Sequence, residues 1–432
     1  VGIDTGGTFT DVVAFDEDTG ELVTTKTPST PSNPADGFMA GIEKVLGLLG
    51  LPPADGTPLS AVSHGTTVAT NQLLEGKVDR LGYLTTEGYD AMLEIARQSV
   101  PDGYGNSYFW VKPDRIVPRH HVKAVGGRLD FTGAEVRPFD EEGARAAARW
   151  FKAQGIDTLG VCFLHAYANP AHEERMREIL AEEHPDAVVS ISSEVLREYR
   201  EYERAMTTLV DAAVKPRLSR YVNNIKDRLA AYAGDRKVPF YVMKSNGGVL
   251  SADEVVHQPI TTVLSGPAAG ALGAALIAKV AGFDKVLTSD GGGTSTDVSV
   301  VIDGEPTLTT EGSVGVYPSK IPMIDVVTVG AGGGSIAWLS PEARSRSVRT
   351  RRARTPARSA TARAAPRSPS PTHTWCSAGS PRTCSAARSR STWRPHAPAS
   401  PSSPATSASA RRPAPPASSR SRRGTRPTHC AR

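Results

Sequence analysis

Short apolar runs alternate with amphipathic stretches through the first 342 residues. Val1-Gly2-Ile3 and Val12-Val13-Ala14-Phe15 flank a polar, glycine-bearing segment, which predicts two strands joined by a hairpin turn. Residues 22–27 predict a strand returning from that turn, and 34–49 an amphipathic helix stopped at Gly50. The short apolar stretch 61–63 precedes His64-Gly-Thr-Thr67, which reads as the opening of a helix through Glu75. Residues 80–84 and 158–164 have the continuous apolar character of buried strands, with a helix at 140–154 leading into the second. Helix at 170–183, strand at 187–191 and a long helix over Glu201–Tyr232, with a bend expected at Pro216, follow. Phe240–Met243, 286–289 and Val326–Val329 complete the apolar strands. Such alternation predicts α/β architecture, and 342 residues suffice for two domains.

One segment between strands occurs twice. Asp4-Thr-Gly-Gly-Thr-Phe-Thr-Asp11 and Asp290-Gly-Gly-Gly-Thr-Ser-Thr-Asp297 both follow Asp-x-Gly-Gly-Thr-x-Thr-Asp, and both lie between apolar strands. A Gly-Gly pair lets backbone N–H groups approach anionic oxygens where a Cβ would collide. The Thr hydroxyl adds a donor, and a leading Asp suits a hard cation such as Mg²⁺. Either copy alone reads equally well as a tight glycine hairpin. The pair, with acidic residues in the same places, predicts two opposed phosphate loops. Asp4 and Asp290 are the expected metal or water-positioning residues. Asp11 and Asp297 suit either the same work or Asx-type turn bonding.

Composition changes after Glu342. Residues 343–432 contain 20 Arg but no Lys, Asp, Glu, Leu, Ile, Met, Phe or Tyr, so the segment has almost nothing to bury and is expected to be disordered. It reads either as an Arg-rich arm for polyanions or, preferably, as an out-of-frame translation of a GC-rich gene. The whole chain has 50 basic and 45 acidic residues; without those 20 arginines, 30 basic face 45 acidic residues, a net charge of −15. The sequence pI of about 9.0 is therefore a property of the tail and argues for no nucleic-acid face elsewhere. Three of the four cysteines lie in the tail, and Cys162, inside an apolar run, reads as a buried thiol. With no disulfide framework, no apolar run approaching ~18 residues and no leader, the expected setting is cytoplasmic, without membrane contact. The abrupt strand at Val1, without Met, suggests that some residues preceding it are missing.

The motifs resemble those of the ATP-dependent hydantoinase A, 5-oxoprolinase and acetone carboxylase β-subunit family. The resemblance covers residues 1–342 and rests on the first loop together with Ser63-His-Gly-Thr-Thr-Val-Ala-Thr-Asn71, Arg200-Glu-Tyr-Glu-Arg204, Ser245-Asn-Gly-Gly248, Leu264-Ser-Gly-Pro-Ala-Ala-Gly270 and Val329-Gly-Ala-Gly-Gly-Gly-Ser335. It implies a two-lobed, actin-like (ribonuclease H-like) ATPase fold, with lobes at 1–199 and 200–342. It implies ATP and Mg²⁺ as cofactors, a cyclic amide such as a hydantoin or 5-oxoproline as substrate, and a hydantoinase B-like partner subunit. Carbonyl phosphorylation would activate the amide; the alternative is activation of a ketone or bicarbonate in a carboxylase. Gly291 stands where the family usually has Met, a departure expected to loosen the turn slightly. The family continues with folded sequence where this chain has its tail, so a frameshifted product is expected to be inactive.

Within that resemblance Gly6, Gly7, Thr8, Thr10, Gly292, Gly293 and Thr294 are expected to cradle phosphates, and Gly332, Gly333 and Gly334 to make room for the adenosine side. Gly266 opens a small-residue helix and is a nucleotide candidate, although close helix packing explains it as well. His64, Thr66, Thr67 and Asn71 are substrate candidates, with simple helix capping as the equal alternative. His120-His121 reads as a solvated loop. Arg200–Arg204 reads as a charged helix face, or, by the resemblance, as an ion-pair element.

Overall fold

In a computed structural model of the protein, the described residues are 1–30, 33–74, 76, 78, 80–97, 115–234, 236–292, 296–314, 317–329, 332–333, 336–339, 345–348 and 373–374. All lie in one compact unit, Val1–Ser377. Gly293, Thr294 and Gly334, and most of 343–432, fall outside the described residues.

The chain begins with strands β1 (Gly2–Thr5), β2 (Phe9–Phe15) and β3 (Leu22–Pro28), helix α1 (Pro34–Leu48), β4 (Val62–Thr66) and α2 (Val68–Leu74). Next come β5 (Leu81–Thr86), α3 (Met92–Ile95), β6 (Val122–Val125), the small hairpin β7 (Arg128–Leu129) and β8 (Glu135–Arg137), and α4 (Glu141–Ala153). Then follow β9 (Thr158–Cys162), α5 (Ala171–Glu183), β10 (Val188–Ile191), α6 (Ser192–Val195) and α7 (Glu201–Tyr232). After α7 lie β11 (Phe240–Met243), β12 (Val249–Ser251), α8 (Ala252–Val255) and α9 (Ser265–Val280). The remaining strands are β13 (Val286–Gly291), β14 (Thr296–Ile302), β15 (Glu305–Pro306), β16 (Leu308–Thr309), β17 (Gly312–Val314), β18 (Tyr317–Ser319), β19 (Met323–Ile324), β20 (Val326–Val329), β21 (Ile336–Leu339), β22 (Ser345–Val348) and β23 (His373–Thr374).

Three sheets organise these elements. The first has the order β12-β11-β4-β1-β2-β3, with β4 parallel to β1 and to β11. Strict alternation in β2 turns Thr10, Val12 and Ala14 inward. Val12 and Ala14 share a core with Phe38, Ile42 and Val45, which recur at helical spacing on α1, and with Leu218, Val222 and Ile225 of α7. The second sheet, β10-β9-β5-β6, is parallel throughout. Its central strands β5 and β9 are buried at every position, as a sheet covered on both faces requires. The third pairs β13, β14 and β15 in order, with β20 on the free edge of β14.

Several expectations change here. Residues 240–251 complete the first sheet, a long-range pairing that leaves no local signal in the sequence. His64 lies within β4, not at a helix opening, and the helix begins at Val68. His121 is buried with Nδ1 against the Leu81 carbonyl, at 3.2 Å, instead of lying in a solvated loop. Helix α7 continues through Pro216 without ending there. Two strands from the segment expected to be disordered, β22 and β23, pair with β21, because backbone pairing requires no apolar side chain.

Candidate functional site: paired acidic hairpins on one helix

The duplicated motifs form duplicated hairpins. In β1 and β2, Asp4 stands opposite Asp11; in β13 and β14, Asp290 stands opposite Asp297. The first turn is braced from outside. Gly6 N–H donates to the Phe9 carbonyl, at 3.0 Å, Ser29 N–H to the Thr8 carbonyl, at 3.0 Å, and Ser29 Oγ to the Gly6 carbonyl, at 2.8 Å. Thr10 is fully buried with its hydroxyl 3.1 Å from Ser29 Oγ, so it braces the turn and does not face solvent. Gly7 and Thr8 are exposed at the tip. Asp11 is exposed and ion-paired with Lys26 at 3.0 Å.

Helix α9 packs against β4 and β11 of the first sheet and against β13 and β14 of the third. Its Gly266 lies where a Cβ would sit 3.4 Å from Asp4 Oδ1, and its Gly270, one turn on, where a Cβ would sit 3.9 Å from Asp290 Oδ2. Gly65 on β4 crowds Asp4 more closely, since a Cβ there would come 2.9 Å from Oδ1. Asp4 Oδ1 is itself buried and has no hydrogen-bond partner. Burial first, and then the charges of Asp11 and Asp290, push the Asp4 carboxyl up to about 6. Asp297 is likewise raised by burial and by Asp290, against the hydrogen bond it accepts from Thr328 Oγ1 at 2.6 Å. The Asp290 charge thus acts on both hairpins.

The other expected residues divide. Ser265 Oγ donates to the Thr66 carbonyl, at 3.1 Å, and accepts from Thr66 N–H, at 3.3 Å, fixing α9 to the end of β4. Thr67 Oγ1 donates to the Thr5 carbonyl at 2.9 Å, and Asn71 Nδ2 donates to Thr67 Oγ1 at 3.1 Å, so this pair holds the end of β1. Gly333 N–H donates to the Gly292 carbonyl at 3.0 Å, which brings the last glycine loop, with Gly332 beside it, onto the second hairpin. His64 does not join them. It is 1 % exposed, its Nδ1 meets the Ile3 carbonyl at 3.1 Å and its Nε2 meets Tyr221 Oη at 2.9 Å, with Phe38 and Phe240 packed on the ring. A carbonyl can only accept, so Nδ1 carries the proton and Nε2 accepts from the tyrosine. Burial lowers His64 to about 4.

Arg204 also departs from the expected charged helix face. It is 1 % exposed, and its Nη2 donates to the Phe163 carbonyl at 2.6 Å. Glu203 is buried beside it and pairs with Arg97. The motifs contain Gly65 and Gly270 without marking a role for either, although the four-residue spacing of Gly266 and Gly270 was a readable sign of two close approaches on one helix face. Among the described residues no three of His, Cys, Asp and Glu converge to hold a metal, and no helix is long and apolar enough to cross a membrane.

The chain has known relatives. The family model for the hydantoinase/oxoprolinase N-terminal region matches residues 1–184, and that for hydantoinase/oxoprolinase matches residues 204–375, beyond the limit of 342 set by the motifs. The caprolactamase subunit alpha of Pseudomonas jessenii is 34% identical over 340 residues, which are 78% of this chain and 48% of that protein. The acetone carboxylase beta subunit of Xanthobacter autotrophicus is 32% identical over 366 residues, covering 80% of this chain and 49% of that one. Among solved structures, nucleotide-free acetone carboxylase superposes with a TM-score of 0.72 at 28% identity, covering 80% of this chain and 50% of that chain. The ATP-dependent caprolactamase of Pseudomonas jessenii gives 0.70 at 32% identity, covering 79% and 49%. The chain spans about half the length of these relatives. By both family matches and by its mixed α/β fold, this chain belongs to the hydantoinase/oxoprolinase family.

Proposed function

We propose that the chain is the nucleotide-binding part of a cytoplasmic, two-lobed, actin-like ATPase that opens cyclic amides of the hydantoin or 5-oxoproline type. The observation that carries this reading is the placement of Asp4 and Asp290 against successive turns of α9, within electrostatic reach of each other. A buried carboxylate oxygen without a partner, beside two glycines that bring no side chain against it, fits a ligand that brings positive charge. Mg²⁺ fits as well, because it commonly takes one or two carboxylates and completes its shell with phosphate and water. Asp4 and Asp290 would hold it. The exposed tip Gly7-Thr8 and the segment Gly292-Gly293-Thr294 would meet phosphates with backbone N–H groups, whereas the Gly6 N–H is spent within the turn on the Phe9 carbonyl; Gly332, Gly333 and Gly334 would flank the base side.

ATP, when bound, would supply a phosphoryl group to the amide oxygen and so make the carbonyl carbon open to attack by water; the ring opens when its C–N bond then breaks and the nitrogen takes up a proton. The chain's own share is to orient and to neutralise. Ser29 and Thr10 hold the first turn, Thr67 and Asn71 hold the end of β1, and Ser265 ties α9 to β4, so the Asp4 carboxylate is presented from a rigid support. A second subunit, of the hydantoinase B kind, would complete hydrolysis. The likeness to acetone carboxylase favours a second reading, a carboxylase subunit that uses the same site to activate a ketone or bicarbonate. ATP turnover measured with 5-oxoproline, a hydantoin, caprolactam, or acetone plus bicarbonate separates the two. Stimulation by an amide alone supports the first reading; stimulation that needs ketone and bicarbonate together replaces it.

A further inference from the structure

Away from the paired hairpins, α5, α6 and the turn after α8 enclose an open groove of about 640 Å³, within the size range of small-molecule sites. Arg177, Ser193, Glu194, Arg197, His257 and Gln258 line it. Its one carboxylate is already matched, since Arg177 Nη1 donates to Glu194 Oε1 at 2.6 Å, and Gln258 Nε2 fixes the same residue through its carbonyl at 2.7 Å. Arg197 directs Nε to the Ser193 carbonyl at 3.0 Å and has no ion pair among the described residues. Ser193 is 2 % exposed; its N–H donates to Glu173 Oε2 at 2.8 Å, yet its hydroxyl has no partner. A buried hydroxyl left without a partner costs free energy and calls for one.

The charge is as unusual as the hydroxyl. Residues before Ala343 carry a net −15, whereas this groove gathers two guanidinium groups and an imidazole around one paired carboxylate. Guanidinium edges recognise planar or tetrahedral oxyanions through paired N–H donors, and Ser193, whose buried hydroxyl lacks a partner, belongs to the lining. We infer that this groove is a second ligand site, for a metabolite-sized molecule that presents a phosphate or carboxylate headgroup to Arg197, Arg177 and Ser193. It is independent of the nucleotide reading, because it shares no residue with the paired hairpins.

Thermal melting and calorimetric titration of the full chain with sodium phosphate and with succinate, against sodium chloride at equal ionic strength, test this. Saturable stabilisation by phosphate or succinate is expected where chloride gives none, and the stronger of the two identifies the headgroup. Arg197→Gln should weaken binding at least tenfold and Ser193→Ala about threefold, with the ligand-free melting temperature of Arg197→Gln unchanged. Asp4→Asn should bind the same anion as tightly as the parent protein. Equal responses to all three salts, wild-type binding by Arg197→Gln, or loss of binding in Asp4→Asn would each overturn the assignment.

Discussion

Asp4 and Asp290, 286 positions apart in sequence, hold the same place in two antiparallel hairpins, each across from the aspartate that closes its motif and each beside a glycine of the same helix. After burial and the charge of Asp11, the charge of Asp290 adds to what holds the Asp4 carboxyl above its usual range.

The first prediction concerns acid stability. Asp4 rises from 3.8 to about 6 in the folded protein, so the native state holds this proton more tightly than the unfolded chain. Its contribution is most favourable below pH 3.8 and is lost as pH rises through about 6. His64 runs the other way, lowered from 6.5 to about 4, so its contribution is intact above 6.5 and is lost as pH falls through about 4. Each is on the order of 3 kcal/mol. Between pH 4 and 6 the two slopes oppose. Urea denaturation across that range should show stability rising with pH in Asp4→Asn and falling with pH in His64→Gln; parallel profiles for the two variants would refute the assignment.

A second prediction concerns the glycines around Asp4. Gly65→Ala places a Cβ 2.9 Å from Asp4 Oδ1, tighter than real Cβ contacts, whereas Gly266→Ala places one at an ordinary 3.4 Å. Gly65→Ala should lower nucleotide affinity tenfold or more while costing about 1–2 kcal/mol of stability, and Gly266→Ala should do distinctly less. Titration with a fluorescent ATP analogue, alongside thermal melting, gives the ranking.

Gly291 supplies a contrasting case. A Cβ there meets nothing within 4 Å, and β13 continues to this residue in register with Thr296. Gly291→Met, which restores the usual residue of the family, should change stability by less than about 0.5 kcal/mol and leave nucleotide affinity within twofold.

Remote from the hairpins, Glu173 is fully buried and accepts from Phe163 N–H at 2.8 Å, Ser192 Oγ at 2.7 Å and Ser193 N–H at 2.8 Å. Glu173→Ala leaves three donors without an acceptor and should cost about 3–5 kcal/mol, read from the urea midpoint. Glu173→Gln keeps one acceptor oxygen and should recover part of that loss.

What the sequence made legible was local. The hairpins could be read because glycine pairs, flanking strands and acidic ends all recur within eight residues. His64 was misread because His-Gly-Thr-Thr has the polarity of a cap, whereas the partner that satisfies its ring, Tyr221, lies 157 residues away. Arg204 belongs to a run of alternating charge, and only the packing of α7 on β9 shows that its guanidinium serves a backbone carbonyl of the second sheet. The place of β11 and β12 in the first sheet is likewise decided by burial across long separations, which no short window records.

Helix α9 meets one carboxylate at Gly266 and the other at Gly270, so a single helix face sets the register of both hairpins. A methyl group at either position would still make ordinary contact, whereas a longer side chain would have to wedge between helix and carboxylate.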